Sequence, residues 1–371
     1  MKSDSVVIIG GGVAGCAAAH YLSKIGISST IVDSGGIGQH ASGYAAGMLN
    51  PLVGSNIPGD LAEIALTSFR LHLSTWNELM ENTGVDFQPR SVTSLEVVFD
   101  DSNTTTLEST HNIFNSTKGF KSHSLTKNDL REFQPRLSEK ITYALCLEGQ
   151  AALDSLLFTK ALGQSAINNG AKFLLAQVTG VNIRNQKVVS VSTNKGNIPC
   201  ASVLFAAGPW SHLVGKWLGI RIPVKPLKGQ IIRTHVPDIT TPLPFDVSGK
   251  KITIYQKPDN LIWIGSTEEH LGFDTHITTE ARIDLLRKAI DVIPDMAGAK
   301  IEKQTACLRP VTDDDLPIIG NIPSLDNAWI STGAGKKGIL LSLAMGKTIA
   351  ELISEGKSSM AIRKFNIARF L

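Results

Sequence analysis

Apolar residues fall along the chain in two rhythms, short unbroken runs closed by glycine and longer stretches with helical spacing. Val6-Val7-Ile8-Ile9 is β-branched without a polar break, as a strand buried on both faces requires. Gly10-Gly11-Gly12-Val13-Ala14-Gly15 follows. Cys16-Ala17-Ala18-Ala19-His20-Tyr21-Leu22 is then small and apolar, which predicts a helix lying against a sheet and closed by Gly26. Ser29-Thr30-Ile31-Val32 predicts a second strand, with Asp33 at its end. Val203-Leu204-Phe205-Ala206-Ala207-Gly208 and Leu261-Ile262-Trp263-Ile264-Gly265 read as further buried strands. Gln230-Ile231-Ile232-Arg233 and Ile252-Thr253-Ile254-Tyr255 read as antiparallel ones. Helical spacing returns over 280–293, stopped by Pro294, and over 338–353. The Ser/Thr/Asn-rich stretch 101–124 reads as loop or insertion. No fixed-period repeat is present. Mixed βαβ and antiparallel blocks predict an α/β nucleotide-binding domain interleaved with an α+β domain.

Composition narrows the function classes. The 371 residues are 42% hydrophobic, which suits two domains or one large lobed one, each with its own core. Thirty-six basic against 33 acidic side chains leave a formal charge of only +3, unlike a protein that coats nucleic acid. Cys16, Cys146, Cys200 and Cys307 stand far apart with no C-x-x-C pair, so neither a zinc ribbon nor a dithiol redox motif is written here. They read as reduced thiols in a cytoplasmic setting. No apolar run approaches the ~20 residues of a membrane span, and Met1-Lys2-Ser3-Asp4-Ser5 lacks the features of a signal peptide. A soluble, cytoplasmic protein is the expectation.

Gly10-x-Gly12-x-x-Gly15 carries the clearest chemistry because its context is complete: a buried strand before, a helix after, and an acid 18 positions beyond Gly15. Gly10 permits the tight turn, Gly12 lets a pyrophosphate approach the backbone, and Gly15 lets helix and strand pack closely. The helix N-terminus offers N–H groups and partial positive charge to phosphates. Asp33 can accept ribose hydroxyls and disfavours a 2′-phosphate. The fingerprint alone leaves FAD and NAD both open. The extension Gly35-Gly36-Ile37-Gly38-Gln39-His40-Ala41-Ser42-Gly43-Tyr44-Ala45-Ala46-Gly47-Met48 favours FAD, since small residues after the acid let a loop wrap beneath a second, larger ring system.

With that extension the chain resembles the flavoproteins of the D-amino-acid oxidase superfamily, most closely the glycine oxidase branch of the thiamine-pathway type. Four further blocks carry the likeness in order: Pro223-Val224-Lys225-Pro226-Leu227-Lys228-Gly229-Gln230, Gly265-Ser266-Thr267-Glu268-Glu269-His270-Leu271-Gly272-Phe273-Asp274, Leu308-Arg309-Pro310 through Leu316-Pro317-Ile318-Ile319-Gly320, and Gly333-Ala334-Gly335-Lys336-Lys337-Gly338-Ile339-Leu340-Leu341. The resemblance implies a Rossmann-like, glutathione-reductase-like FAD-binding domain from 1–85, 145–225 and 305–371, interleaved with a smaller antiparallel-sheet substrate domain from 86–144 and 226–304. It implies that Gly10, Gly12, Val13, Ala14, Gly15, Asp33, Ser34, Ala41, Ser42, Ala46, Gly47 and Met48 form the FAD site. Val178 would meet the adenine, and Ala207 and Gly208 the pyrophosphate. The segment Ala334, Gly335, Lys336, Lys337, Gly338, Ile339 and Leu340 would pass under the isoalloxazine at a helix start.

The implied reaction is oxidative deamination of glycine, sarcosine or a small D-amino acid by hydride transfer to flavin N5, giving an oxo acid, ammonia or amine, and hydrogen peroxide. Arg309 would hold the substrate carboxylate, because a guanidinium presents a planar fork that matches it. Lys336 stands where glycine oxidases carry a second active-site arginine. Thr253 stands where they place a tyrosine, with Tyr255 two residues on and on the same strand face. Cys307 occupies the register of the cysteine that bonds the flavin in monomeric sarcosine oxidases, where glycine oxidases have glycine; a free buried thiol is the commoner fate of such a residue. A homo-oligomer is the expected assembly.

Three other functions stay open on sequence grounds. One is a dehydrogenase passing electrons to an acceptor other than oxygen. Another is a tRNA-modifying FAD oxidoreductase, suggested by Leu316-Pro317-Ile318-Ile319-Gly320 and the basic Ile362-Arg363-Lys364-Phe365. The third is a flavin-binding protein without catalysis. Gly346-Lys347-Thr348 imitates the end of a P-loop, but Leu341 stands where its first glycine belongs. His270 and His276 lack accompanying ligands, Asp313-Asp314-Asp315 reads as a solvated turn, and no G-x-S-x-G elbow is present. No metal site is expected.

Overall fold

The computed structural model describes residues 6–99, 104–236 and 245–371. The first part of the chain forms β1 (Val6–Ile9), α1 (Val13–Lys24), β2 (Ser29–Asp33), α2 (Ala41–Tyr44), β3 (Met48–Leu49), α3 (Ala62–Thr83), β4 (Arg90–Val98), α4 (Thr104–Ser116), β5 (Lys121–Thr126) and α5 (Lys127–Phe133). The middle supplies β6 (Tyr143–Ala152), α6 (Ser155–Asn168), β7 (Lys172–Leu175), β8 (Val178–Arg184), β9 (Lys187–Thr193), β10 (Gly196–Pro199), β11 (Ser202–Phe205), α7 (Ser211–Leu218) and β12 (Val224–His235). The remainder gives β13 (Asp246–Gly249), β14 (Ile252–Gln256), β15 (Ile262–Gly265), α8 (Thr279–Val292), β16 (Lys300–Thr312), β17 (Ile318–Asn321), β18 (Ala328–Thr332) and α9 (Gly338–Glu355).

One sheet has the order β17-β18-β11-β1-β2-β7, parallel throughout except for β17. All four residues of β1 are buried, because strands lie on both sides and helices pack on the face. The small residues of α1 serve that packing. At Gly346 of α9 a Cβ would come within 2.6–2.8 Å of Ala17, so the two helices cross almost backbone to backbone. The glycine that imitates a P-loop is therefore a packing residue.

The second sheet has the order β16-β12-β15-β14-β13-β4-β6-β3, with β5 added on β6. Period-2 alternation divides its side chains between two environments. Leu95, Val97, Val247, Ile252, Ile254, Ile232, Ile262 and Ile264 point to one face, where they form a core with Leu285, Ala289 and Val292 of α8. The intervening positions, among them Ser94, Glu96, Ser248, Thr253 and Tyr255, point to the other face. A small three-stranded sheet, β10-β9-β8, is hydrogen-bonded to neither but packs on the first, Val188 and Val191 of β9 joining Val7, Ile9, Val203 and Phe205 in one core.

The expected loop over 101–124 is overturned for its described part, which contains α4 and β5; residues 101–103 lie outside the described residues. Leu107, Thr110 and Phe114 are buried at helical spacing, so packing overrides a run of weak helix formers. No described helix is long and apolar enough to cross a membrane.

Candidate active site

A cavity of about 770 Å³ runs from the C-terminal ends of β1, β2 and β11 to the open face of the second sheet. That is the crevice where open α/β sheets bind dinucleotides. Backbone builds its first half. Gly10 has φ +116°, and a Cβ there or at Gly15 would overlap the carbonyl of Ala206 or of Gly10 respectively. These two glycines answer to the protein's own packing, and Gly15 does not line the cavity. Gly12 differs, since a Cβ would meet only Ser42 Oγ at 3.4 Å, and the position opens on the cavity. Gly338 at the start of α9 repeats the pattern, its nearest neighbour being Ala334 Cβ at 3.9 Å.

Both helices present their N-termini to this space, with no acidic residue in either first turn. Ser42 Oγ accepts the Val13 N–H at 2.9 Å, which ties the 41–48 loop to α1. The Asp33 carboxylate accepts the N–H groups of Gly11 at 2.8 Å, Gly35 at 2.7 Å and Gly36 at 3.0 Å. Those bonds orient it at the cavity wall. Ser34, Ala41, Ala46, Gly47, Met48, Val178, Ala207, Gly208, Ala334, Gly335, Lys337, Ile339 and Leu340 also line the space. The glycines left open at two helix N-termini and the fixed acid at the end of β2 fit an extended dinucleotide carrying a pyrophosphate, and so fit FAD.

Two side chains brace α9: the buried His72, which no sequence pattern points to, and Lys337, which lies in the segment expected under the isoalloxazine. The His72 ring carries its proton on Nε2, which donates to the carbonyls of Ile339 at 3.0 Å and Leu340 at 3.2 Å. Burial lowers its pKa to about 4, so the ring is neutral. Lys337 Nζ donates to the Val53 carbonyl at 2.8 Å; burial, with Lys336 nearby, holds it down to about 8. Among the described residues Lys337 has no acidic partner within ion-pair distance, so its charge adds to the positive end of α9.

Side chains build the other half. Ser94 and Glu96 of β4, Asp246 and Ser248 of β13, Thr253 and Tyr255 of β14, Ile231 of β12, and Cys307 and Arg309 of β16 all line it. Arg309 lies over Gly229, where a Cβ would collide with the guanidinium. Its Nη2 donates to Ser266 Oγ at 2.6 Å and its Nη1 to the Thr267 carbonyl at 3.2 Å. No described acid pairs with it, which leaves guanidinium N–H donors for a ligand. Ser266 and Thr267 are positioned in turn by Gln230, whose N–H donates to Thr267 Oγ1 at 2.8 Å, and by Glu269, which accepts from both Thr267 Oγ1 and Gln230 Nε2. The fully buried Lys228 anchors the same loop through Asp274 at 2.6 Å, and it holds that carboxyl far below the usual range.

Thr253 and Tyr255 share the cavity face as their spacing requires. Burial pushes the Tyr255 phenol up, opposed by the Thr253 hydroxyl and by the Arg309 charge. Burial likewise pushes the Cys307 thiol up, with Arg309 pulling the other way. Lys336 is placed differently from expectation: it lines the cavity, but its ammonium pairs with Glu268 at 2.8 Å on the exposed rim. Asp246 is buried, and its carboxyl rises to about 6 through desolvation, restrained by Lys257, the Gln256 N–H and Arg90. Lys257, itself lowered to about 8 by burial, donates to the Ala46 carbonyl of the 41–48 loop.

The remaining sequence candidates resolve into ordinary contacts. Asp313 pairs with Arg221 and Lys225, and Asp314 with Arg369, so the acidic turn is an ion-pair hub rather than merely solvated. Lys364 of the basic C-terminus pairs with Asp60. His276 pairs with Asp274. No group of three or more metal-ligating side chains occurs among the described residues.

The fold and the cavity together define a dinucleotide-binding oxidoreductase. Residues 5–352 match the model of the DAO family, described as FAD dependent oxidoreductase, and the chain belongs to that family. It is 30% identical over 356 residues to a glycine oxidase of Pseudomonas aeruginosa, covering 95% of each chain. The solved glycine oxidase of Geobacillus kaustophilus superposes with a TM-score of 0.91 at 27% identity, covering 99% of this chain and 98% of the other. That of Bacillus cereus gives 0.87 at 28% identity, over 95% and 96%. The protein is an FAD-dependent oxidoreductase.

Proposed function

We propose that the protein catalyses oxidative deamination of a small amino acid or secondary amine, with glycine, sarcosine and small D-amino acids as the first candidates. The carrying observation is Arg309, a guanidinium over Gly229 in the cavity wall, held by two neutral acceptors and, among the described residues, lacking an acidic partner. It suits a carboxylate, which a planar fork fixes bidentately. Bound FAD supplies a two-electron acceptor. The chain's contribution is placement: Arg309 fixes the carboxylate, Thr253 and Tyr255 bound the space beside it, and the walls limit water. Loss of two electrons and two protons from the CH–NH unit gives an imine, which water hydrolyses to an oxo acid and ammonia or an amine. Electrons passed to oxygen yield hydrogen peroxide.

The glycine oxidase relatives support this reaction class on CH–NH or CH–NH2 groups. On this reading 1–85, 145–225 and 305–371 serve the cofactor and 86–144 and 226–304 the substrate, with β6, β12 and β16 joining the two. Lys336 contributes through its place in the segment before α9 more than through its ammonium. A soluble cytoplasmic homo-oligomer is part of the same proposal.

The test is anaerobic mixing of the holoenzyme with amino acids and secondary amines while the flavin absorbance is followed. Bleaching by glycine, sarcosine or a small D-amino acid is the expected result. If all of them leave the flavin oxidised, the reaction is another one. Parallel assays for peroxide and for dye reduction separate oxygen from a different acceptor.

A further inference from the structure

The side-chain half of the cavity contains a second charged group without a counterpart among the described residues. Glu96 alternates on β4 with Leu95 and Val97, which are buried in the core beneath α8, so its carboxylate faces the cavity. It has no hydrogen-bond or ion-pair partner among the described residues, and desolvation alone pushes its pKa up. Asp246, also on the cavity wall, is the instructive contrast. It has Lys257, Arg90 and the Gln256 N–H around it, so its charge is answered within the protein.

The strand register places Glu96 relative to Arg309. Glu96 lies opposite Ser248, Ser248 opposite Thr253, and Thr253 opposite Gly265. Three strand steps of ~4.8 Å thus separate its backbone from that of Gly265, whose neighbour Ser266 receives the Arg309 guanidinium. Among the described residues, a cation and a carboxylate without ion-pair partners thus face one cavity from strands whose backbones stand well apart. An elongated molecule with a negative and a positive end would bridge them. A half-buried carboxylate without a partner is unfavourable, and a ligand cation would supply what the protein withholds.

We propose that Glu96 binds a cationic substituent of the substrate, so that the preferred substrate class is an amino acid or N-substituted amino acid carrying a second, positively charged group remote from its carboxylate. The inference rests on Arg309 as the carboxylate site. It leaves the oxidised CH–NH unit between the two anchors.

Hexanoate and 6-aminohexanoate test it without turnover, because they share a carboxylate and chain length and differ in the terminal ammonium. Calorimetric titration of the holoenzyme at about pH 8, above the ordinary carboxylate range, is expected to show 6-aminohexanoate bound about tenfold more tightly. Glu96→Gln should abolish that preference and leave hexanoate bound at least as well. Equal affinities in the unaltered protein overturn the proposal, as does a preference that survives Glu96→Gln. The outcome is separate from that of the amine screen. If no amine bleaches the flavin but the Glu96-dependent preference is present, the site stands and the reaction fails. If small neutral amino acids bleach it and the two acids bind alike, the reaction stands and this inference fails.

Discussion

The two halves of the cavity are made of different material. On the cofactor side the walls are backbone: glycines at two helix starts, N–H groups of α1 and α9, and one acid held by three main-chain donors. On the sheet side they are side chains from six strands, β4, β6, β12, β13, β14 and β16. A backbone wall constrains residue type strongly, since almost any side chain at Gly10 is excluded. A side-chain wall constrains only parity and leaves identity free to select the ligand. That is the physical reason for one family to keep a common cofactor while varying the substrate.

The largest effects that probe this contrast belong to the glycines. Gly15→Ala should cost about 3 kcal/mol of apoprotein stability, because its Cβ meets backbone that cannot move aside. Gly12→Val, in more open space, should leave the apoprotein near its original melting temperature while FAD retention after gel filtration falls sharply. If both variants lose stability alike, Gly12 is not kept open for the cofactor.

A comparable effect is expected from acid. His72 and His20 both have depressed folded pKa values of about 4, chiefly through burial, against 6.5 when exposed. The unfolded chain therefore binds more protons between these values, so their contribution is complete above pH 6.5 and is lost as pH falls toward 4. Each shift corresponds to about 3 kcal/mol. Asp246 acts oppositely, losing stability as pH rises toward about 6, but with the smaller shift of a single group. Thermal melts of the holoenzyme should decline from pH 7 to 5, and His72→Gln should flatten that slope by about half. An unchanged slope would show that His72 is not a buried neutral ring.

The smallest effect should come from Lys336→Ala. Its ion pair with Glu268 is exposed at both ends and worth less than 1 kcal/mol. Half-saturation by an oxidised amino acid is expected to change less than fivefold. A loss of a hundredfold would return Lys336 to the substrate's carboxylate.

The same contrast decides what could be read in the sequence. β1, the glycine turn, α1 and Asp33 are contiguous, and steric demands confine each position to one or two residue types. Arg309, Thr253 and Tyr255 were reachable through the likeness of whole blocks and the period of a strand. Glu96 was not: in Arg90-Ser91-Val92-Thr93-Ser94-Leu95-Glu96-Val97-Val98 its parity fits a water-facing edge equally well. Only pairing with β13 and β6, from distant parts of the chain, turns that face toward the cavity. His72 was hidden for a related reason, since its partners on α9 lie 267 and 268 residues away. α4 was missed because its buried stripe is short, and its helix depends on what it packs against.

The central claim is that cofactor and carboxylate are held by separate halves of one cavity. Arg309→Leu tests it most directly when FAD content and the affinity for glycine and acetate are measured on the same preparation. FAD should be retained at the original stoichiometry while both carboxylates bind roughly 30- to 150-fold more weakly, as loss of a charged hydrogen-bond partner implies. Carboxylate affinity that survives the substitution, or FAD lost together with it, would contradict the account.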